Sequence, residues 1–161
     1  LVHIAHAESL IDELMRKIRV VSADLMPVQL QENGLAVALQ QMVESINARG
    51  DIQLHYTNTL PPVPLERKIH IYRLIQEITN NAIKHAAAQN LFINLKGNHK
   101  KLILELKDNG KGFDKKNKAG LKKGLGLRHI SGRVEILGGK LYLDTSPGNG
   151  TSYRIEIPNT A

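Results

Sequence analysis

The hydrophobic pattern of this 161-residue chain changes its period near residue 87, and that change limits the folds open to it. Up to that point most apolar residues recur every three or four positions, which predicts amphipathic helices. We expect one helix over residues 8–26, a second from Asn33-Gly34 to Gly50 and a third over 65–86, with a short strand over 51–56. Beyond residue 87 apolar and polar residues alternate, which predicts strands.

The alternating segments form two pairs of strands, each pair joined by a turn. The first hairpin has apolar residues at every second position of 91–95 and 102–106, around Gly97-Asn98. The second pair covers 141–143 and 153–157, and a short helix over 127–137 precedes it. Helices interspersed with hairpins predict an α/β fold, a two-layer α/β sandwich with the helices on one face of the sheet. An α+β binding domain of no assigned chemistry is the alternative that the pattern leaves open.

Composition excludes several classes of function. The chain has no cysteine, which excludes a disulfide framework, a thiol nucleophile and a thiolate zinc site. No apolar run approaches the roughly 18 residues of a membrane-spanning helix, and the N-terminus lacks the apolar core of a signal peptide. The chain begins with Leu1 rather than Met, so we expect it to be part of a longer protein.

The positive charge of the chain is concentrated in one segment. The net charge is +7, and between Lys107 and Lys123 seven lysines stand against two aspartates. Such a surplus favours phosphates or other anionic partners. A single aromatic residue, Phe113, lies among these lysines, which is too few for a base-stacking surface, so we do not expect nucleic-acid binding. Glycines flank the segment, which suits a mobile lid over phosphates, although a solvated loop has the same composition.

Three short motifs combine residue types that suit a magnesium–nucleotide site. Glu77, Asn81, Lys84 and His85 have the spacing of one side of a helix, where an amide oxygen can bind Mg²⁺ and a lysine can meet phosphate. An ordinary solvated helix face has the same pattern. The segment 108–112, which carries Asp108, Gly110 and Gly112, follows a predicted strand. A carboxylate there can accept the amino group of adenine and reject the oxygen of guanine, although such a segment is also a common turn.

The third motif, Gly124-Leu125-Gly126-Leu127, opens the short helix. Glycines before a helix let free amide groups face an anion, although an ordinary helix start looks the same.

Together these motifs resemble the ATPase domain of sensor histidine kinases. Residues 77–85 resemble its N box, residues 108–113 its G1 box and residues 124–127 its G2 box, while residues 146–151 are similar to its closing Gly-Thr segment. All four occur in the order of the family and together cover about residues 69–158. The resemblance implies the Bergerat ATP-binding fold, with a mixed, mostly antiparallel sheet, preceded by a remnant of a dimerisation helix.

The resemblance also implies roles, with ATP and Mg²⁺ as cofactors. Asp108 is expected to bind the adenine amino group with support from Thr151, Asn81 to bind Mg²⁺, and Glu77 to activate the substrate imidazole. Lys84 is expected to contact phosphate. The family often has Asn where this chain has His129, so no phosphate contact is assigned there. The remaining residues expected to bind or shape the nucleotide pocket are His85, Gly110, Gly112, Gly124, Leu125, Gly126 and Leu127.

The stretch from Leu25 to Leu39 and Gly132-Arg133-Val134 resemble the nitrate-sensor-like branch of these kinases. We therefore expect residues 1–30 to be the end of a dimerisation and phosphotransfer hairpin, and residues 31–161 to be the ATPase domain. Neither His3 nor His6 precedes an acidic residue, as the phosphoacceptor of that branch does, so we expect the acceptor to lie outside this chain.

The implied partners are the histidine-bearing dimerisation domain of the same longer protein and the receiver domain of a response regulator. The parent is expected to be a homodimer. The ATPase domain is expected in the cytoplasm, with a parent that can be anchored in the inner membrane.

Three other functions remain open at this stage. The chain could be a degenerate member that binds a partner without turning over ATP. A gyrase- or Hsp90-type ATPase has the same fold, but it needs a second domain that supplies a catalytic lysine. Nucleic-acid binding through the basic segment would show a steep loss of affinity with salt.

Overall fold

The computed structural model of the chain describes residues 28–114 and 125–159, without the side chains of 28, 29 and 125. Five strands form a single sheet in the order β1-β2-β3-β5-β4. β1 and β2 are parallel, and the other three neighbouring pairs are antiparallel. The strands are β1 (Gln53–Thr59), β2 (Asn90–Gly97), β3 (Lys101–Asp108), β4 (Lys140–Thr145) and β5 (Thr151–Pro158).

In the described residues, three α-helices accompany the sheet: α1 (Val28–Asn47), α2 (Leu65–Asn81) and α3 (Leu125–Ile136). α1 packs against β1 and α2, α2 packs against α3, and α3 packs against β4. None of the helices in the described ranges is long and apolar enough to cross a membrane. The helix predicted over residues 8–26, residues 1–27 of the segment expected to be the end of a dimerisation hairpin, and most of the lysine-rich segment lie outside the described residues.

Buried and partly exposed residues alternate along the strands, as the sequence pattern predicts, so one face of the sheet packs against the helices. In β3 every second residue from Leu102 to Asp108 is buried, and in β5 the same holds from Thr151 to Ile157. The apolar residues among them form one core with the apolar faces of the helices, while the other face of the sheet carries partly exposed ion pairs such as Arg154–Glu156. The prediction of a two-layer sandwich with a mixed, mostly antiparallel sheet is confirmed.

α1 is longer than the pattern predicts. It begins at Val28 rather than after Asn33, and Gly34 (φ 80°) interrupts it with a kink. The predicted break is therefore real, but helix continues on both sides of it because glycine adopts this left-handed φ at little cost. β1 extends to Thr59, beyond its last apolar residue Tyr56, since Thr57 and Thr59 hydrogen-bond to β2.

The end of the third predicted helix also differs from a regular α-helix. α2 is α-helical to Asn81 and continues as a π-helical turn over Ala82–Ala86. Ala87, in the left-handed conformation at φ 49°, ends the helix. Single π-helical turns are rare and are frequently found at functional sites. The turn directs the chain to the start of β2, at the sheet end that also carries Asp108.

One end of the sheet brings together residues from four strands. Leu91 pairs with Asp108, Asp108 pairs with Thr151, and Thr151 pairs with Thr145. This row places the residues after β3 beside the turn that joins β4 to β5. The fold therefore gathers the second and fourth sequence motifs, about 40 residues apart in the chain, at one end of the sheet.

The two faces of β3 predict different responses to truncation. Leu104→Ala removes a fully buried side chain from the core, so we expect the free energy of unfolding to fall by about 2–5 kcal/mol. Ile103→Ala, on the other face of the same strand, should cost at most about 1 kcal/mol. Urea unfolding of the two variants measures the difference. Equal losses would contradict the assignment of the buried face.

Candidate functional site

Asp108 is a buried carboxylate at the end of β3, with its side chain held in one orientation. The residue is 4% exposed, and its Oδ1 accepts hydrogen bonds from the backbone N–H of Gly110 at 2.8 Å and of Thr151 at 3.2 Å. Within the part of the chain that the structure describes, Oδ2 accepts none. Oδ2 therefore keeps its lone pairs for a donor, and this oxygen is suited to receive one from a bound molecule.

The loop after β3 is fastened to the end of the helical layer. The backbone N–H of Lys111 donates to the carbonyl oxygen of Ala86 at 2.8 Å, and Oδ1 of Asn109 accepts from the backbone N–H of Asn90 at 2.8 Å. A Cβ at Gly110 would lie 2.4 Å from the same Ala86 oxygen, closer than atoms approach. Only glycine fits there, so the first glycine of the motif allows the loop to contact the π-helical turn.

The same loop also contacts the turn between β4 and β5. Gly112 has φ +59°, and a Cβ there would lie 2.1 Å from the carbonyl oxygen of Ser146. The backbone N–H of Gly148 donates to the carbonyl oxygen of Lys111 at 2.7 Å. The second and fourth motifs are therefore in direct contact.

Thr145 and Thr151 lie behind this loop. Both are buried, and their hydroxyl oxygens are 3.3 Å apart. The hydroxyl of Thr145 also accepts from the backbone N–H of Phe113 at 3.2 Å and donates to the carbonyl oxygen of Gly150 at 2.8 Å. Thr151 was predicted as a site residue and Thr145 was not, because the alternating apolar pattern of β4 ends before it.

The first and third motifs meet at the ends of two helices. Glu77 and Asn81 lie one turn apart on α2 and are half-buried. A Cβ at Gly126, in the first turn of α3, would lie 2.8 Å from Oε1 of Glu77 and 2.9 Å from Oδ1 of Asn81. The backbone of α3 therefore rests on the two oxygen-bearing side chains, and the absence of a side chain at Gly126 makes room for them.

Tyr153 connects the helix side of the site to the sheet side. Burial raises the pKa of Tyr153 to about 12, and the nearby carboxylates of Asp108 and Glu77 add to the shift. A hydrogen bond with the Asn81 side chain acts on this pKa in the opposite direction. The alternating pattern predicted Tyr153 only as a buried residue of β5. Its hydroxyl group, in a row of otherwise aliphatic side chains, indicated that a polar group lies nearby.

Lys84 and His85 lie on the π-helical turn, and both are exposed. Because a π-helical turn contains more residues than an α-helical one, the spacing of Lys84 and His85 relative to Glu77 and Asn81 differs from that of a regular α-helix. His129 is exposed on α3. Leu127 packs against the core, Gly124 lies outside the described residues, and only the backbone of Leu125 is described.

The oxygen atoms of this site suit a hard cation that takes most of its ligands from elsewhere. The described residues contain no group of three or more histidine, aspartate or glutamate side chains that could hold a metal by themselves. Mg²⁺ commonly binds through one or two protein oxygens, with water and substrate phosphates as the other ligands. Asn81 Oδ1 beside Glu77 fits that kind of coordination.

Comparison with known proteins gives the family. Residues 66–161 match the family described as histidine kinase-, DNA gyrase B-, and HSP90-like ATPase. The chain is 34% identical over 136 residues to the sensor histidine kinase ComP of Bacillus subtilis, a match that covers 83% of this chain and 18% of ComP. An uncharacterized sensor-like histidine kinase of Chloroflexus aurantiacus is 33% identical over 150 residues, covering 88% of this chain and 25% of that protein. The chain thus spans a quarter or less of these relatives.

Solved structures show the same fold. The histidine kinase domain of the blue-light activated histidine kinase from Erythrobacter litoralis has a TM-score of 0.63 and 26% identity, covering 77% of this chain and 60% of that one. The histidine kinase AdeS of Acinetobacter baumannii has a TM-score of 0.68 at 18% identity, covering 96% of this chain and 84% of that one.

The family match includes the site described above, since residues 66–161 contain all four motifs. The resemblance first noted in the motifs is therefore confirmed by the family match, by the relatives and by the fold. The chain belongs to the histidine kinase-, DNA gyrase B- and HSP90-like ATPase family, and it is an ATP-binding domain of the kind found in sensor histidine kinases.

Proposed function

We propose that this chain binds Mg-ATP between the end of the sheet and the end of α2, and transfers the γ-phosphoryl group to a histidine of another domain. The observation that carries the proposal is the buried carboxylate of Asp108. Its Oδ1 is fixed by two backbone amides, and its Oδ2 accepts no hydrogen bond from the described residues. It can accept a donor group of a ligand.

Asp108 selects the base. Oδ2 accepts a hydrogen bond from the amino group of adenine, whereas guanine presents an oxygen at that position and would place two acceptors against each other. Thr151 supports this contact from the neighbouring strand, where its backbone N–H already donates to Oδ1 of Asp108. Gly110 and Gly112 keep the loop beside the base free of side chains.

Asn81 and Lys84 act at the phosphate end. The carboxamide oxygen of Asn81 is the protein ligand for Mg²⁺, which when bound offsets the charge of the phosphates. Lys84, exposed on the π-helical turn, contributes a positive charge toward the same groups. The backbone of α3 at Gly126 lies against Asn81, so the free amide groups of the first turn of α3 are close to the phosphates.

Glu77 acts on the incoming histidine. Its carboxylate accepts a hydrogen bond from one imidazole N–H, which makes the other ring nitrogen a better nucleophile. That nitrogen forms the bond to the γ-phosphorus as the bond to the β–γ bridging oxygen breaks, and ADP is the leaving group. Phosphoryl transfer requires little covalent chemistry from the protein, so positioning and charge supply most of the catalysis.

The acceptor histidine and the receiving partner lie outside this chain in the proposal. The two relatives are between about four and six times as long as the matched part, which leaves room for a dimerisation domain. We propose that this domain carries the histidine in a homodimeric parent, and that the phosphoryl group passes on to the receiver domain of a response regulator. The supply of ATP favours the cytoplasm as the location of this domain.

Asp108→Asn tests the contact with the base and keeps the hydrogen bonds that hold the side chain in place. The asparagine keeps an oxygen for the amides of Gly110 and Thr151 and replaces Oδ2 with a donor. We expect Mg-ATP affinity to fall by about 10- to 100-fold, the effect of a lost charge-assisted hydrogen bond, in titration calorimetry. Asp144→Asn, the same change at an exposed position of β4, is the control and should leave the affinity unchanged. Wild-type affinity in Asp108→Asn would refute the base contact.

Glu77→Ala tests the transfer step separately. We expect nucleotide affinity close to wild type and a loss of about 10²–10⁴-fold in the rate at which labelled phosphate reaches the histidine of a dimerisation domain supplied in trans. Glu66→Ala, in the first turn of the same helix, is the control. Nucleotide binding by the wild type with no transfer in trans would favour the degenerate, partner-binding alternative. A loss of binding in Glu77→Ala would contradict the proposed role of Glu77.

Three glycine-to-alanine variants distinguish effects on nucleotide binding from effects on the stability of the fold. Gly126→Ala meets the ends of two flexible side chains, so we expect normal stability but weaker Mg-ATP binding as Asn81 is displaced. Gly110→Ala meets the backbone of Ala86 and should destabilise the fold by about 1–3 kcal/mol. Gly132→Ala, on α3 with nothing within 4 Å, should bind normally and gain about 0.5–1 kcal/mol of stability. Calorimetry and thermal unfolding measure both properties. Unchanged Mg-ATP binding in Gly126→Ala would contradict the placement of Asn81.

A further inference from the structure

Thr145 lies behind the base-binding residues and interacts with three other groups. It is the last residue of β4, it is 9% exposed, and it pairs with Thr151 across the sheet. Its hydroxyl oxygen lies 2.8 Å from the carbonyl oxygen of Gly150, 3.2 Å from the backbone nitrogen of Phe113 and 3.3 Å from the hydroxyl oxygen of Thr151. Neither the sequence motifs nor the proposed function assigns this residue a role.

The direction of each hydrogen bond of the Thr145 hydroxyl group follows from the number of protons that its partners carry. A hydroxyl group has one proton to donate and two lone pairs that accept. The carbonyl oxygen of Gly150 can only accept, so it takes the proton of Thr145, and the short distance of 2.8 Å agrees with that assignment. The N–H of Phe113 can only donate, so it occupies one lone pair. The second lone pair remains for Thr151, which must therefore be the donor in the pair of hydroxyl groups.

The hydroxyl group of Thr151 is then left with acceptor capacity only. Its proton is directed to Thr145, and its lone pairs remain for any group that approaches from the ligand side. Asp108, the residue paired with Thr151 on β3, also presents an acceptor in Oδ2. Two neighbouring side chains therefore accept hydrogen bonds, and neither has a proton to offer a ligand.

We propose that Thr145 is a positioning residue for base selection: by accepting the Thr151 hydroxyl proton, it fixes Thr151 as an acceptor beside Asp108. The site then favours a purine with an amino group over one with a carbonyl oxygen at the same position. Without Thr145 the hydroxyl of Thr151 can turn and donate, directly or through water, to a carbonyl oxygen. This inference rests on the proposed function, in which the site binds an adenine nucleotide.

The test compares the affinities of ADP and inosine diphosphate, which carries a carbonyl oxygen in place of the amino group. Titration calorimetry gives both dissociation constants for the full chain and for Thr145→Val and Thr145→Ser. We expect the selectivity for ADP to fall by about tenfold in Thr145→Val, the effect of one hydrogen bond, and to be retained in Thr145→Ser. If the role of Thr145 were merely structural, the substitution would weaken the binding of both nucleotides equally, and the ratio of their dissociation constants would not change.

Two further measurements keep the test decisive. The first compares the Thr145→Val, Thr151→Val double variant with the Thr151→Val single variant. If Thr145 acts through Thr151, both should have the same ratio of ADP to inosine diphosphate dissociation constants. If thermal unfolding shows that Thr145→Val does not fold, Thr145→Cys takes its place, because its thiol is a weaker acceptor of similar shape.

The inference would be overturned if Thr145→Val, or Thr145→Cys where that variant is used, kept the wild-type selectivity for ADP. A reduced selectivity in Thr145→Ser would also overturn it. In both of these cases the proposed function would stand. Failure of the wild-type chain to bind ADP would overturn the proposed function itself.

Discussion

The site depends on a carboxylate that the fold buries at the end of a strand and holds by its own backbone. Burying a charge in this way is costly unless hydrogen bonds compensate for it. The amides of Gly110 and Thr151 supply two such bonds, and both go to the same oxygen of Asp108. They come from the loop after β3 and from the start of β5, so the orientation of one side chain requires that both segments be in place. The remaining oxygen accepts no hydrogen bond from the described residues, and in the proposed function it receives the ligand.

The helical layer is fitted to that sheet end by contacts that leave no room for side chains. The π-helical turn after α2 brings the carbonyl oxygen of Ala86 to the loop, where Gly110 lies against it and Lys111 bonds to it. On the other side, Gly126 brings the start of α3 onto Glu77 and Asn81. In the proposed function, the residues for base recognition and those for phosphate chemistry thus lie on two separate layers of the domain. Tyr153, whose pKa responds to Asp108, Asn81 and Glu77, lies between them.

Periodicity predicted the two layers and the two strand hairpins, and the motifs supplied most of the residues of the candidate site. Asp108 could be proposed from its place at a strand end before glycines, whereas Thr151 came from the resemblance of residues 146–151 to the closing segment of the family. The π-helical turn could not be predicted, because nothing in residues 82–86 departs from a helical pattern. Thr145 was missed for a related reason. Its three hydrogen bonds reach residues 5, 6 and 32 positions away, and only the folded sheet brings them together.

The central claim is that Asp108 and Asn81 receive the two ends of one nucleotide. A crystal structure of the chain with Mg²⁺ and a non-hydrolysable ATP analogue tests it most directly. The account predicts the amino group of adenine about 3 Å from Oδ2 of Asp108, with the metal bound to Oδ1 of Asn81. A nucleotide bound elsewhere, or a base that contacts the exposed face of the sheet while Asp108 stays covered by protein, would contradict it.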